Sequence, residues 1–134
     1  MKRKFTKMTA ALALLVGLMI PLGMWGQSTV TFVAGTDTSS GTSITKDGIT
    51  ITFSNGTFSR TDNYRCYANA TMSVSSTVGT ITEVVLTCVQ GNGPGNFSGD
   101  NNYTYDNLIG TWTNPGEGVL TASAQVRMTQ IEVT

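Results

Sequence analysis

The stretch QVRMTQIEVT, residues 125–134, has the alternation of apolar and polar residues that is typical of a long β-strand, but the alternation changes phase halfway. Its four large apolar residues fall two on each phase of a two-residue alternation: Val126 and Met128, then Ile131 and Val133. Successive side chains of a strand point to opposite faces, so one extra residue is needed to bring all four onto the same face. We therefore predict a β-bulge at Thr129–Gln130. Two short strands that meet at this point are the alternative.

The same alternation of apolar and polar residues runs through most of the chain, and helical periodicity is absent from it. In GITITFSNGTF (48–58), Ile49, Ile51 and Phe53 alternate with threonines before a turn at Asn55-Gly56. Further segments of this kind are STVTFVA (28–34), NYRCYANATMSVSS (63–76), TITEVVLTCVQ (80–90), YTYDNLIGTWT (103–113) and GVLTASAQ (118–125). About seven or eight short strands with threonine facing water predict an all-β, antiparallel, jelly-roll-like β-sandwich.

Residues 1–26 have the layout of a secretory signal peptide. Four cations precede the apolar run AALALLVGLMI (10–20), and PLGMWGQ (21–27) adds a helix breaker and small residues. The apolar run is shorter than the roughly 20 residues that a membrane-spanning helix needs; an uncleaved anchor is the alternative. We predict cleavage after Gly26 and one β-sandwich domain over residues 27–134. The protein is then exported, to the periplasm, the cell surface or the medium.

Removal of the leader leaves four basic and eight acidic residues, a net charge of −4. Nucleic-acid binding draws on clustered lysines and arginines, and an anionic membrane surface attracts the same residues. The scattered cations of an acidic chain therefore argue against both partners. No cofactor is indicated, and composition leaves the oligomeric state open.

The second half of the chain resembles a small secreted β-sandwich module that recurs in exported and surface proteins of Bacteroidota. The shared motifs are VSS (74–76), ITEV (81–84), GTWT (110–113) and the closing QVRMTQIEV (125–133). The resemblance covers roughly residues 45–134 and implies a β-sandwich with a non-catalytic, accessory role in larger exported proteins. The turn NPGEG (114–118) departs from the Gly-Ser and small residues usual in such modules.

The residue types argue against an enzyme. The chain has no histidine, which removes Ser-His-Asp and Cys-His nucleophile systems together with the commonest metal ligand. A glycosidase needs two carboxylates at a defined separation, whereas the aspartates here lie in or beside predicted turns, where Asp serves local backbone hydrogen bonds. SGDNNYTYDN (98–107) offers Asp100 and Asp106 as weak calcium candidates without the spacing of the twelve-residue calcium loop. No metal site is predicted.

Cys66 and Cys88 both lie on inward strand phases. If their segments form a hairpin that turns around Thr77, the two residues are directly opposed, and export would favour a disulfide between them. Two buried thiols are the alternative, because strands adjacent in sequence can lie in different sheets.

Carbohydrate binding is the remaining chemistry that the residues suggest. Exposed aromatic rings that stack on sugar faces, with Asn, Asp and Arg nearby, are typical of carbohydrate-binding sandwiches. The candidates are Tyr103, Tyr105, Tyr67, Arg65 and Trp112. Tyr103 and Tyr105 share one strand face, Arg65 and Tyr67 share the phase opposite Cys66, and Trp112 has a second interpretation as a core anchor.

The function that the sequence favours is a non-catalytic exported accessory module, with a glycan or another surface protein as its partner and no membrane contact after cleavage. The alternative is a structural spacer or adhesin building block without a small-molecule ligand.

Overall fold

The computed structural model describes residues 28–134, and the predicted signal peptide with its cleavage after Gly26 lies outside that range. The described residues form two antiparallel sheets that pack as a β-sandwich, which confirms the predicted fold class. Residues 28–134 contain twelve strands rather than seven or eight. The difference arises because turns divide several alternating segments, and because two strands are only two residues long.

The strands are, in chain order, β1 (Val30–Val33), β2 (Ser43–Lys46), β3 (Ile49–Phe53), β4 (Gly56–Thr57), β5 (Tyr64–Cys66), β6 (Thr71–Ser76), β7 (Glu83–Cys88), β8 (Phe97–Ser98), β9 (Tyr103–Asp106), β10 (Ile109–Thr113), β11 (Leu120–Ala122) and β12 (Val126–Val133). One 3₁₀ turn, Pro94–Asn96, precedes β8. Sheet one has the order β8-β11-β6-β3-β2. Sheet two has the order β9-β10-β7-β12-β5-β4, and β1 also pairs with β12.

Across residues 28–134, no helix has the length and hydropathy to cross a membrane.

Alternation determines which side chains enter the core of sheet one. Ile49, Ile51 and Phe53 of β3 are buried, whereas the threonines between them face outward. On that outer face the hydroxyls of neighbouring strands meet: Ser43 with Thr52 at 2.9 Å, and Thr45 with Thr50 at 2.8 Å. Such cross-strand hydroxyl pairs stabilise a face that is wet on one side.

The core is filled from the inner faces of both sheets. Its largest fully buried side chains include Trp112, Tyr64, Phe32, Phe53, Phe58, Met72, Leu86, Leu120, Met128 and Ile131. The Phe53 and Phe58 rings stack with their centroids 4.3 Å apart, and the Tyr64 ring is tilted against Phe58. The sandwich therefore has one continuous apolar interior.

The last strand, β12, lies in the middle of sheet two and contains the predicted bulge. Its register against β7 shifts between Met128 and Gln130, so that Thr129 is the extra residue. The four apolar side chains of β12 are at most 1% exposed: Val126, Met128, Ile131 and Val133. On its other edge β12 exchanges β5 for β1 at the same point, where the Thr129 carbonyl accepts a hydrogen bond from the Ala34 amide at 3.0 Å. The bulge prediction is confirmed.

The possible disulfide between Cys66 and Cys88 is contradicted, because the hairpin that it requires does not form. Strand β6 lies in sheet one and β7 in sheet two. Cys66 and Cys88 lie on the two strands that flank β12, opposite Val126 and Met128. Two strand spacings amount to roughly 10 Å, which exceeds the separation that a disulfide can bridge. Both thiols are free and buried, as the alternative expected, and burial raises the pKa of each to about 12.

A polar contact joins the two sheets where β2 approaches β1. The Lys46 ammonium donates to the Thr31 carbonyl at 2.7 Å and to Asp37 Oδ2 at 3.1 Å. The same Asp37 oxygen accepts from the Val33 amide at 2.9 Å, and the Asp37 carbonyl accepts from the buried Tyr64 hydroxyl at 2.7 Å. We call this arrangement the Lys46–Asp37 clamp. It holds the turn after β1 against the edge of sheet one.

The clamp should make stability depend on pH. The Val33 amide, and then the Lys46 ammonium, lower the pKa of Asp37 against an opposing effect of burial. A carboxyl with a lowered folded-state pKa stabilises the fold above its unfolded-state value, about 3.9, and loses that contribution as pH falls through the folded-state pKa. We expect Asp37→Asn to be about 1–2 kcal/mol less stable at pH 7. We also expect it to lose less stability than the wild type between pH 5 and 2.5.

Urea denaturation across that pH range is the measurement. Asp47→Asn is the matched control, because Asp47 is an exposed aspartate in the turn between β2 and β3. Equal acid destabilisation of wild type and Asp37→Asn would contradict the role assigned to the clamp.

Candidate functional site

The hairpin of β9 and β10 carries both tyrosines of the predicted YTY face. Tyr103 lies opposite Trp112, and Tyr105 lies opposite Gly110. Since Trp112 and Gly110 are buried, the alternation places both tyrosines on the inner face of sheet two. Strand β9 is the edge of that sheet, and this part of its inner face is covered by the 3₁₀ turn at Pro94–Asn96 and by Phe97 of β8, the edge strand of sheet one.

Tyr103 is half-buried and held from two sides. Its hydroxyl donates to the Pro94 carbonyl at 2.8 Å, and its ring meets Phe97 edge-on with centroids 6.2 Å apart. A side chain on Gly110 would place its first carbon 3.1 Å from the ring, so glycine allows this close approach. Burial is the main cause that raises the pKa of Tyr103 above its ordinary value, and the phenol is neutral. Tyr103 is therefore a fixed part of the site's wall.

Tyr105 is the exposed ring of the pair, with 59% of its surface accessible. The ring lies against the loop at Gly95, where a first side-chain carbon would come 3.0 Å from two ring carbons. Together with the other ring it lines an open depression of about 520 Å³, whose remaining lining residues are Phe97, Ser98, Gly99, Asp100 and Asn101. We call this surface the Tyr105 depression.

Asp100 gives the depression a fixed acceptor. Its Oδ1 accepts from the Asn102 amide at 2.9 Å, and its Oδ2 accepts from Trp112 Nε1 at 3.0 Å. The Asn102 amide, and then the indole N–H, lower the pKa of Asp100, so this carboxylate is ionised at neutral pH. Each of its oxygens keeps a further lone pair for a ligand.

Trp112 itself is fully buried and cannot contact a ligand directly. Its prediction as a ligand-binding residue is contradicted, and the core-anchor interpretation holds. The indole still influences the site, because its N–H donates to Asp100 Oδ2 and so orients this carboxylate.

Arg65 and Tyr67 do not join the other predicted residues. Arg65 lies on β5, which is separated from β9 by β10, β7 and β12. Its side chain points to the outer face of sheet two, because its neighbours Tyr64 and Cys66 are buried, and Tyr67 continues the same outward phase. The five candidates therefore belong to two separate surfaces and the core.

The two weak calcium candidates also lie apart. The Asp100 carbonyl accepts from the Tyr103 amide just before β9, whereas Asp106 is exposed at the far end of that strand. Three residues of strand separate the ends by roughly 10 Å, and the two side chains share no face. In the part of the chain that the structure describes, no group of three or more His, Cys, Asp or Glu residues is placed to hold a metal ion.

A larger cleft, of about 670 Å³, lies between the end of β6 and the turn 114–118. Its lining consists mainly of serine, glycine, threonine and short aliphatic residues, without an aromatic ring. We regard the smaller Tyr105 depression as the better site, because it combines rings with fixed polar groups. Ser98 and Asn101 are not among the residues that the sequence suggests for carbohydrate binding, and the length of their loop is the signal that points to this region.

Comparison of the chain with models of protein families, with curated proteins and with solved structures found no match.

Proposed function

We propose that the chain is a non-catalytic binding module of an exported protein, and that the Tyr105 depression receives a carbohydrate. The observation that carries this proposal is an exposed tyrosine ring beside the hydrogen-bonded Asp100 carboxylate in an open depression. A sugar presents a C–H face that packs on an aromatic ring, and hydroxyls that need partners. Asp100, Asn101 and Ser98 supply such partners around Tyr105.

The order within the depression supports the proposal. Tyr103 is held by Pro94 and Phe97, and Asp100 is held by Trp112 and Asn102. Side chains that are already fixed lose little freedom when a ligand binds, so more of the contact energy appears as affinity. An open depression suits a sugar chain, because the chain can extend beyond the site at both ends.

The carboxylates support a binding role more than catalysis. Asp37 belongs to the Lys46–Asp37 clamp, Asp62 is paired with Arg60 and Arg65, and Asp100 is hydrogen-bonded to the indole of Trp112. Each of these groups has a structural contact. The resemblance to accessory modules of exported proteins agrees with this reading.

The alternative, a spacer or adhesin building block without a ligand, accounts for buried rings such as Trp112 and Tyr64. It gives no reason for a ring as exposed as that of Tyr105. The carbohydrate proposal accounts for both kinds of ring.

Replacement of the exposed ring tests the proposal. We expect the purified protein to bind one or more polysaccharides on a glycan array, and Tyr105→Ala to bind them about 10- to 100-fold more weakly. This range corresponds to about 1.5–3 kcal/mol for an aromatic contact. Ile109→Ala is the matched control, because Ile109 is 40% exposed on the same hairpin but on its outer face. Absence of binding to plant, mucin and bacterial polysaccharides, or an equal loss in the control, would reject the proposal.

A further inference from the structure

Positive charge is concentrated at one place on the described part of the chain. Residues 28–134 contain four cations, and three of them are grouped. Two flank one acid: Arg60 Nε lies 3.5 Å and Arg65 Nη2 lies 3.6 Å from the Asp62 carboxylate. The third is Arg127, which is the direct cross-strand neighbour of Arg65. We call Arg65, Arg127 and Asp62 the arginine patch, and Arg60 lies outside it, at its exposed rim. It carries more positive than negative charge on a domain that is acidic overall.

The central pair of this patch is unfavourable in the free protein. Arg65 of β5 and Arg127 of β12 are directly opposed, and both side chains point outward because the residues on either side of them are buried. Like charges directly opposite one another on neighbouring strands destabilise a sheet. The Arg65 side chain is only 16% exposed, which reduces the screening of this repulsion by water. An anion placed between the two guanidinium groups would remove the repulsion.

Both guanidinium groups are oriented through Nε. Arg65 Nε donates to Asn63 Oδ1 at 2.9 Å, and the Asn63 residue is only 5% exposed. In the amide orientation that satisfies both groups, the Gln125 side-chain oxygen accepts from Arg127 Nε at 2.8 Å and from Nη2 at 3.1 Å. Within residues 28–134, the terminal nitrogens of Arg65 donate no hydrogen bond. The terminal N–H groups that these contacts leave over, on Arg65 and on Arg127 Nη1, are those that can reach a carboxylate or a sulfate, the groups that a planar guanidinium recognises.

The surroundings favour a polysaccharide over an acidic peptide. Peptides commonly bind by adding a strand to a free sheet edge or by filling apolar pockets. Strand β5 has no free edge here, because it lies between β4 and β12. The neighbours on the outer face are Thr57 opposite Arg65, and Tyr67 two residues further along. These side chains offer hydroxyls and a ring.

We propose that the arginine patch binds an anionic polysaccharide, with the carboxylate or sulfate groups of the sugar chain held between Arg65 and Arg127. The patch is distinct from the Tyr105 depression, since three strands separate β5 from β9. Substitutions in one surface therefore leave the other intact, and each proposal can be tested independently of the other.

The test measures binding of the purified protein to polygalacturonate, dextran sulfate, neutral dextran and poly-L-glutamate by titration calorimetry at several salt concentrations. We expect binding to one or both anionic polysaccharides that weakens as salt rises, and none to neutral dextran. Arg65→Gln/Arg127→Gln should bind at least tenfold more weakly. Arg127→Lys should lose at least threefold, because lysine keeps the charge without the planar fork.

Two controls separate this surface from other effects. Arg60→Gln, at the exposed rim, should change affinity less than twofold, and Tyr105→Ala should leave binding to the polyanions unchanged. Urea denaturation checks that the double variant is folded, because removal of the like-charge pair opposes the loss of the Arg65 hydrogen bond to Asn63. If that variant does not fold, the affinity of Arg127→Lys and the salt dependence of wild-type binding test the proposal. Failure of both polyanions to bind, unchanged affinity in the arginine variants, or equally tight binding of poly-L-glutamate would overturn the proposal.

Discussion

Deletion of Thr129 is expected to prevent the sandwich from folding. Without this residue, the alternation of β12 can keep only one of its two apolar pairs on the inner face, either Val126 with Met128 or Ile131 with Val133. Burial of an aliphatic side chain contributes about 1.5–3 kcal/mol. Exposure of two of them costs about 3–6 kcal/mol, which is comparable with the whole stability of a small domain, about 5–15 kcal/mol. The deletion also removes the carbonyl that Ala34 contacts where β12 changes partner.

Circular dichroism, together with urea denaturation of whatever soluble protein is recovered, measures this effect. Thr129→Ala is the first control: it keeps the residue count, loses only the 3.4 Å contact of the hydroxyl with the Thr87 carbonyl, and should cost less than about 1 kcal/mol. Deletion of Ser40, which is exposed in the loop between β1 and β2, is the second, because loop length has a small effect on stability. A Thr129 deletion that unfolds at the same urea concentration as the wild type would disprove the bulge's role.

Trp112→Ala is expected to destabilise the protein by about 3–5 kcal/mol, the range for removal of a large buried aromatic side chain. The indole is fully buried and is among the largest side chains of the core. Its loss leaves a cavity and removes the donor that orients Asp100. We therefore expect this variant to lose carbohydrate affinity as well, although Trp112 touches no ligand.

Trp112→Phe separates the two effects. It keeps most of the apolar volume and lacks the N–H, so a smaller loss of stability should accompany a clear loss of affinity. Val119→Ala, at a 42% exposed position, is the stability control and should change the free energy of unfolding by less than about 0.5 kcal/mol. A Trp112→Ala variant with the stability of Val119→Ala would show that the indole does not anchor the core.

The features of the fold that could be predicted from the sequence are those that depend on local periodicity. The bulge at Thr129 follows from a change of phase within ten residues, and the inward position of Ile49 and Ile51 follows from strict alternation. Sheet membership depends on pairing between distant residues, which alternation does not encode. The expected opposition of Cys66 and Cys88 failed for this reason: each strand is regular, but β6 and β7 lie in different sheets.

The same division applies to the candidate site. Tyr103 and Tyr105 share a face, as their spacing predicts, yet one ring is half-buried and the other exposed. Their difference is set by the path of the loop around Pro94 and Gly95, and the sequence indicates only that a long loop is present. The opposition of Arg65 and Arg127 joins strands far apart in the chain, so no local pattern could have predicted it.

The position of β12 has a consequence for the order of events during synthesis. Residues 126–133 are made after all three strands with which they pair, and β1 precedes them by about 100 residues. Until residues 126–133 have been synthesised, β1, β5 and β7 lack the strand with which all three pair in sheet two. Pairings between residues far apart in the chain slow folding, so we expect sheet two to form only after residues 126–133 have been synthesised. For the exported protein that we propose, this order would keep the chain unfolded while it crosses a translocation pore.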